Sequence, residues 1–435
     1  MESPSLKHER ASVAEEGEAS SRIFGWWHTA PANARRALFA AALGWMLDSF
    51  DVMLYALVLA SLMTDIGLSK GAAGILGSIT LVAAAIGGLV FGVTADRYGR
   101  TRALMASILI YAVFTAACGL SQNFVQLAIF RLLVGFGMGG EWASGASLVA
   151  ETWPDEHRGK ALALMQSSWA IGYALAAIVA AFVMPWGGWR AVFFVGIVPA
   201  FFTLWIRSGV KEPEIWKNSM ATAASSFGSF TELFQRRFAR FTIVLTLMNA
   251  CTLFAWWGFN LWVPAYLSLP VEHDGIGLAP RIMLAIIVAM QVGMWFGYVT
   301  FGFVSDFVGR KPTYVAYLLA AALLLFIYGA VHAPWLLLTV GSLVAFFGTG
   351  YYSGFAAVTA EIYPTHIRAT AQGFSYNTGR IASALAPFTV GSLAQTHSFR
   401  AAFSVAAASF LLAAVCWVWI PETRGRSLAL EEQAK

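Results

Sequence analysis

The sequence predicts an all-α integral membrane protein, with twelve transmembrane helices arranged as two six-helix pseudo-repeated bundles. Three observations predict it. Of the 435 residues, 58% are hydrophobic and only 12% charged, whereas soluble chains carry roughly 25% charged residues. Runs such as 37–63, 125–149 and 282–304 each supply the ~20 mostly apolar residues that cross a ~30 Å hydrocarbon layer as helix. Finally, a set of polar motifs returns at one fixed spacing along the chain.

Unpaired backbone groups cannot be left in lipid, so a spanning segment is either a helix or part of a closed barrel, and barrels show ~10-residue alternating segments instead. Helices are expected near 36–63, 71–94, 101–120, 124–148, 159–184, 189–206, 240–268, 280–304, 312–332, 335–359, 369–395 and 400–420. This divides the chain into a tail (1–35), a first bundle (36–206), a linker (207–239), a second bundle (240–420) and a second tail (421–435). The first tail, with Glu15, Glu16 and Glu18 among small polar residues, reads as disordered and lacks an apolar signal-peptide core.

Cationic loops stay cytoplasmic. With twelve spans, 22 of the 28 Lys and Arg fall on the side of the N-terminus, four on the other side, and Arg131 and Arg380 within spans. Both termini are therefore expected to be cytoplasmic, in a plasma or inner membrane. The net charge of +5 is a topology signal and not a nucleic-acid footprint. Cys118, Cys251 and Cys416 lie in apolar spans and the seven His are scattered, so no metal, cofactor or nucleophilic enzyme site is expected.

The repeat is specific. Gly92-Val-Thr-Ala-Asp96-Arg97-Tyr-Gly99-Arg100 recurs 210 residues later as Gly302-Phe-Val-Ser-Asp306-Phe-Val-Gly309-Arg310. Glu151 and Arg158 recur as Glu361 and Arg368, Trp189-Arg190 as Phe399-Arg400, and Glu212 as Glu422, all at the same offset. Two halves of equal orientation follow, as in transporters built from parallel repeats. On these motifs, and over essentially the whole chain after residue 35, the sequence resembles the major facilitator superfamily.

Gly99 and Gly309 permit tight turns at the membrane surface, and Asp96 or Asp306 can face a helix N-terminus or a cation. Glu151, Arg158, Glu361 and Arg368 share the cytoplasmic side, so ion pairs among them are expected either to latch the two halves or simply to cap helices and set topology. The resemblance implies that such a latch holds the outward-facing state.

Ionisable groups inside spans are penalised by roughly 2.5–3.5 kcal/mol each on insertion scales, so they point to function. Asp48 and Asp51 are three apart on the first helix, on one face with Gly44 and Tyr55. Two acids that close cannot both ionise cheaply away from water, so a shared or exchangeable proton is expected there. Arg131 and Glu141, ten apart on the fourth helix, lie about 15 Å apart along the axis and cannot pair with each other. The helix 1 aspartates are the natural partners for Arg131.

Arg380, mid-way along the eleventh helix with Tyr376 and Asn377, is the candidate grip for an anionic group, since a guanidinium holds a carboxylate through two parallel bonds. Its alternative role is that of buried partner to Glu141 or an aspartate. Stripes of Gln166, Trp169 and Tyr173, and of Gln291, Trp295 and Tyr298, with Asn260 on the seventh helix, suit an organic solute with polar edges and an apolar body. The Gly135–Gly140 run reads as close helix packing.

Leu47-Asp48-Ser-Phe-Asp51 resembles the Asp-x-x-Asp pattern of the superfamily's proton-coupled symporters for sialate, monocarboxylates and aromatic acids. That resemblance implies uptake of a small organic anion with protons by a functional monomer: Asp48, Asp51 and Glu141 for the proton, and Arg380, Arg131, Tyr55 and the polar stripes for the solute. The stretch from Pro421 to Leu428 resembles the C-terminal signature of sugar porters, which keeps a sugar or polyol open. A drug or metabolite exporter is a further alternative, disfavoured because only Gly172 precedes Pro185 in helix 5.

Overall fold

The computed structural model describes residue 27 and residues 30–153, 155–212, 231–363 and 365–424. Among these there is no strand; the helices are α1 (Ala32–Ile66), α2 (Lys70–Tyr98), α3 (Arg100–Cys118), α4 (Phe124–Thr152), α5 (Asp155–Val195), α6 (Val198–Gly209), α7 (Ala239–Ser268), α8 (Pro280–Val308), α9 (Arg310–Tyr328), α10 (Pro334–Gly350), α11 (Phe355–Ile362), α12 (Thr365–Ser383), α13 (Ala386–Thr396) and α14 (Phe399–Cys416). Ten stretches are long and apolar enough to span a bilayer. One of them, Lys160–Thr203, has 44 residues, far more than one crossing requires. It turns at Gly188, whose φ of 63° and ψ of −166° break the helical path, and so makes two passes. The eleventh expected helix is α12 followed by α13, broken after Ser383 with Pro387 in the new first turn, and α10 and α11 together form the tenth.

Local chemistry sets the ends. Ser69 and Asn123 accept hydrogen bonds from Ala72 N and Gln126 N, capping α2 and α4. A single glycine separates α2 from α3 and α8 from α9, with φ of 111° at Gly99 and 125° at Gly309, conformations that side chains other than glycine's adopt only under strain.

The 210-residue repeat is also a structural repeat. Glu212 accepts from the backbone N–H groups of Thr101 and Arg102 at 3.1 and 3.2 Å, and Glu422 accepts from those of Arg310 and Lys311 at 2.9 and 3.0 Å. Each carboxylate thus covers the exposed N-terminus of the helix that follows the glycine turn. Although partial burial acts in the opposite direction, these N–H groups, with those of Thr423 and Arg424, hold the Glu422 carboxyl below the usual range. The stretch that resembles a sugar-porter signature is thereby tied to loop capping through Glu422 and to Glu361 through the Thr423 hydroxyl.

Of the residues in the expected latch, Glu151 and Glu361 are described and pair within their own bundles, while the ion pairs expected of Arg158 and Arg368 lie outside the described residues. Arg100 pairs with Glu151 at 2.7 Å and Arg310 with Glu361 at 3.1 Å, with Asp306 joining Arg310. Both pairs close within one bundle. The reason is topological: Arg100 opens α3 and Glu151 nearly ends its antiparallel neighbour α4, so the two meet at one level. The side chains of Asp96, Arg158 and Arg368 lie outside the described residues; Arg97 is exposed.

On the opposite face the halves do join. Lys70 Nζ donates to the carbonyls of His273 and Ala394 at 2.8 and 3.1 Å and sits 4.5 Å over the Phe399 ring. Gly71 N donates to Gln395, and Phe388 N to Ser78. Gly74 and Gly77 lie against Pro387.

Within the first bundle α2 and α4 approach through glycines. A Cβ on Gly139 would fall 1.9 Å from the Ala84 carbonyl oxygen, and one on Gly135 2.1 Å from that of Thr80. Backbone cannot yield as a flexible side chain does, so Gly139→Val is expected to destabilise by more than the ~1–3 kcal/mol typical of overpacking and to remove the monodisperse peak in size-exclusion chromatography. Gly92→Ala, with nothing within 4 Å of its Cβ, should run as wild type; equal behaviour of the two would refute the packing.

Candidate functional site

Among the described residues, five Asp, Glu and Arg side chains are enclosed by the helices. Asp48 and Asp51 on α1, Arg131 and Glu141 on α4, and Arg380 on α12 are between 0 and 3% exposed. Asp48 is within electrostatic reach of Arg380, which belongs to the other half, and of Glu141 on α4. Asp51 stands behind it, facing Asp48, Arg131 and the Thr115 side chain. The Glu141 carboxyl fills the space that Gly44 leaves open, since a Cβ there would lie 2.6 Å from Glu141 Oε1. Three carboxyl groups therefore occupy one side of the interface and a guanidinium the other.

Arg380 sits in the last turn of α12. No carboxylate approaches its nitrogens within 4.0 Å among the described residues. Asp48 Oδ2, both oxygens of Asp51 and both oxygens of Glu141 are likewise without hydrogen-bond partners. Buried charges ordinarily pair. A buried guanidinium facing a carboxyl it does not grip can accept a second anion.

The other expected residues divide into two groups. Tyr376 stacks on Trp142 of α4, ring centroids 5.0 Å apart and planes 19° apart; the Trp142 indole N–H reaches Gln166 Oε1 at 3.4 Å. Trp169 lies between Trp45 and Trp257 and so also crosses the interface. Asn260 Nδ2 contacts Met53 Sδ of α1 at 3.4 Å, its Oδ1 unpartnered. These line the junction between halves.

Tyr55 and Arg131 instead meet inside the first bundle. The Tyr55 hydroxyl donates to the Ala73 carbonyl at 2.8 Å and its ring lies 4.4 Å from the Arg131 guanidinium, whose Nε and Nη1 have no partners. Asn377 and Gln291 donate to carbonyls of their own helices, Gln291 Oε1 remaining unpartnered; Tyr173 is buried with an unpartnered hydroxyl, and Trp295 packs edgewise on Phe296.

Sequence reasoning did not single out Tyr111, buried beside Asp48, Asp51 and Glu141, or Thr115 beside Asp51. Their i, i+4 spacing on an apolar helix was the available signal. Nor did sequence reasoning single out Trp142 as a site residue.

A family model described as Major Facilitator Superfamily matches residues 41–298 and 269–435. The chain belongs to that superfamily. Among relatives in it, a putative metabolite transport protein of Haemophilus influenzae is 33% identical over 90% of this chain and 97% of its own length. The cis,cis-muconate transport protein of Acinetobacter baylyi is 33% identical over 87% and 92%. Among solved structures of the superfamily, the xylose transporter XylE of E. coli in a partially occluded inward-open conformation superposes with a TM-score of 0.73 at 20% identity, over 91% of this chain and all of that one. At that identity the match speaks for the fold alone.

Proposed function

We propose that this chain is a proton-coupled symporter that takes up a small organic anion by alternating access. The observation that carries the reading is Arg380: a buried guanidinium at the interface of the halves, with no carboxylate inside ion-pair distance among the described residues and Asp48 opposite. An anion's carboxylate completes its coordination through paired N–H donors. The relative that carries cis,cis-muconate in its name supports a carboxylate cargo.

Coupling follows from competition. While Asp48 is ionised it draws Arg380 electrostatically; a proton on Asp48 releases that hold and frees the guanidinium for the cargo. Asp51 and Glu141, both facing Asp48, supply carboxyl groups through which the proton reaches or leaves it. Tyr376, Trp142, Gln166, Trp169 and Asn260 surround the organic part, and Arg131 positions Asp51. The glycine-turn loops, braced by Arg100–Glu151 and Arg310–Glu361, keep each bundle rigid as the two rock. The arginine-rich face carrying both termini is cytoplasmic, and the membrane is the plasma membrane.

One proton moving with one monoanion carries no net charge, so accumulation follows the pH gradient, about 1.4 kcal/mol or tenfold per unit. In proteoliposomes with acid outside, labelled benzoate, lactate or sialic acid is expected to accumulate, and to stop doing so when the gradient is collapsed. Gradient-driven accumulation of glucose with none of the acids would overturn the reading in favour of a sugar.

A further inference from the structure

The two ring-on-ring contacts that cross between the halves among the described residues differ in kind. Trp169 meets Trp257 edgewise at 84°, whereas Trp142 and Tyr376 lie nearly parallel, 19° apart with centroids separated by 5.0 Å. A parallel stack is the geometry in which one π face can be exchanged for that of a flat guest, because both prefer the same offset spacing. An edge contact offers no such slot.

The stack is held from both sides. Gln166 on α5 accepts the Trp142 indole N–H at 3.4 Å, which limits how the indole can turn. Glu141, the residue before it, is lodged against Gly44, which fixes that stretch of α4. On the other half, Tyr376 precedes Arg380 by four residues on α12, so the two share a face about 6 Å apart along the axis. A flat acid lying on the tyrosine ring carries its carboxylate in its own plane, beside that ring face, with the Arg380 guanidinium within electrostatic reach of Tyr376.

We infer that Trp142 and Tyr376 form a slot that selects the cargo for flatness, so that the preferred substrates are planar, conjugated carboxylic acids. The inference rests on the reading of Arg380 as the carboxylate grip and narrows the class of anion it holds. As the halves separate, the two ring faces part; a flat acid enters with its carboxylate on Arg380 and its π surface against one or both rings. A puckered saturated ring of the same size and charge meets the same guanidinium but cannot fill the gap face to face.

Thermal-shift titration of the purified protein in detergent tests this without a labelled substrate, since a ligand that binds the folded state raises its melting temperature. The probes are benzoate and its saturated counterpart cyclohexanecarboxylate, with lactate and sialic acid alongside. Wild type is expected to bind benzoate about tenfold more tightly than cyclohexanecarboxylate, the scale of one to two lost ring contacts. Trp142→Leu and Tyr376→Leu should each bring the ratio close to one, because benzoate loses a face-to-face contact that cyclohexanecarboxylate never makes. Trp142→Phe and Tyr376→Phe, which keep a flat face and are the variants of choice if the leucines do not fold, should keep most of the preference. Equal affinity for the two ring acids in wild type, or a preference that survives both leucine substitutions, would overturn the slot. Binding of lactate or sialic acid without either ring acid would overturn the slot and leave the organic-anion reading standing. Silence from every acid, with glucose alone accumulating in proteoliposomes, would remove both.

Discussion

Arg380→Ala is expected to raise the concentration of organic acid needed for half-maximal uptake about a hundredfold, with protein yield and melting temperature close to wild type. The size follows from what is removed. A buried, charge-assisted contact to a carboxylate contributes roughly 2–5 kcal/mol when one partner is truncated, and about a hundredfold corresponds to the lower part of that range. Stability should move little, since Arg380 makes no ion pair within 4.0 Å among the described residues. Arg380→Lys should recover part of the affinity, a point charge replacing a planar fork. Kinetics of acid uptake in proteoliposomes read the effect directly; an unchanged half-saturation in Arg380→Ala would take the carboxylate assignment away.

Much of the architecture was legible in the sequence because it is encoded by repetition. The 210-residue offset between Asp96 and Asp306, Glu151 and Glu361, and Glu212 and Glu422 announces two equivalent bundles, and the structure places Glu151 and Glu361, and Glu212 and Glu422, in equivalent roles. Helical spacing also put Asp48 and Asp51 on one face, and Tyr376 and Arg380 on another. What spacing cannot supply is the rotation of one helix against its neighbours. That rotation decides that Arg131 turns onto Tyr55 inside the first bundle, that Trp142 and not Trp295 meets the second half's tyrosine, and that Arg100 reaches Glu151 within its own bundle. The break after Ser383 was half-legible: Pro387 marks it, yet the polar character of α12, with Gln372, Ser375, Asn377 and Arg380, hides a span that ordinary hydropathy passes over.

Asp48→Asn is expected to abolish uphill transport while sparing exchange. With one unit of pH imposed, acid outside, wild type should concentrate a monocarboxylate about tenfold, and the variant should stop near the external concentration. Asparagine has the shape of a protonated aspartic acid and no charge at any working pH. If proton binding at Asp48 is what releases Arg380, the variant is permanently in the released form, so it should still bind anion, still exchange internal for external acid, and lose the pH dependence of both. Asp51→Asn tests the order of the carboxyl groups. Asp51 lies within electrostatic reach of Asp48 and Arg131, so its loss should slow coupled uptake without freeing anion binding from pH. A variant at Asp48 that kept tenfold accumulation would move the coupling proton to Asp51 or Glu141. Loss of exchange together with accumulation would mean instead that the Asp48 carboxylate itself is needed to draw Arg380 back and expel the cargo, which makes the same pair of residues the release step and not the entry step.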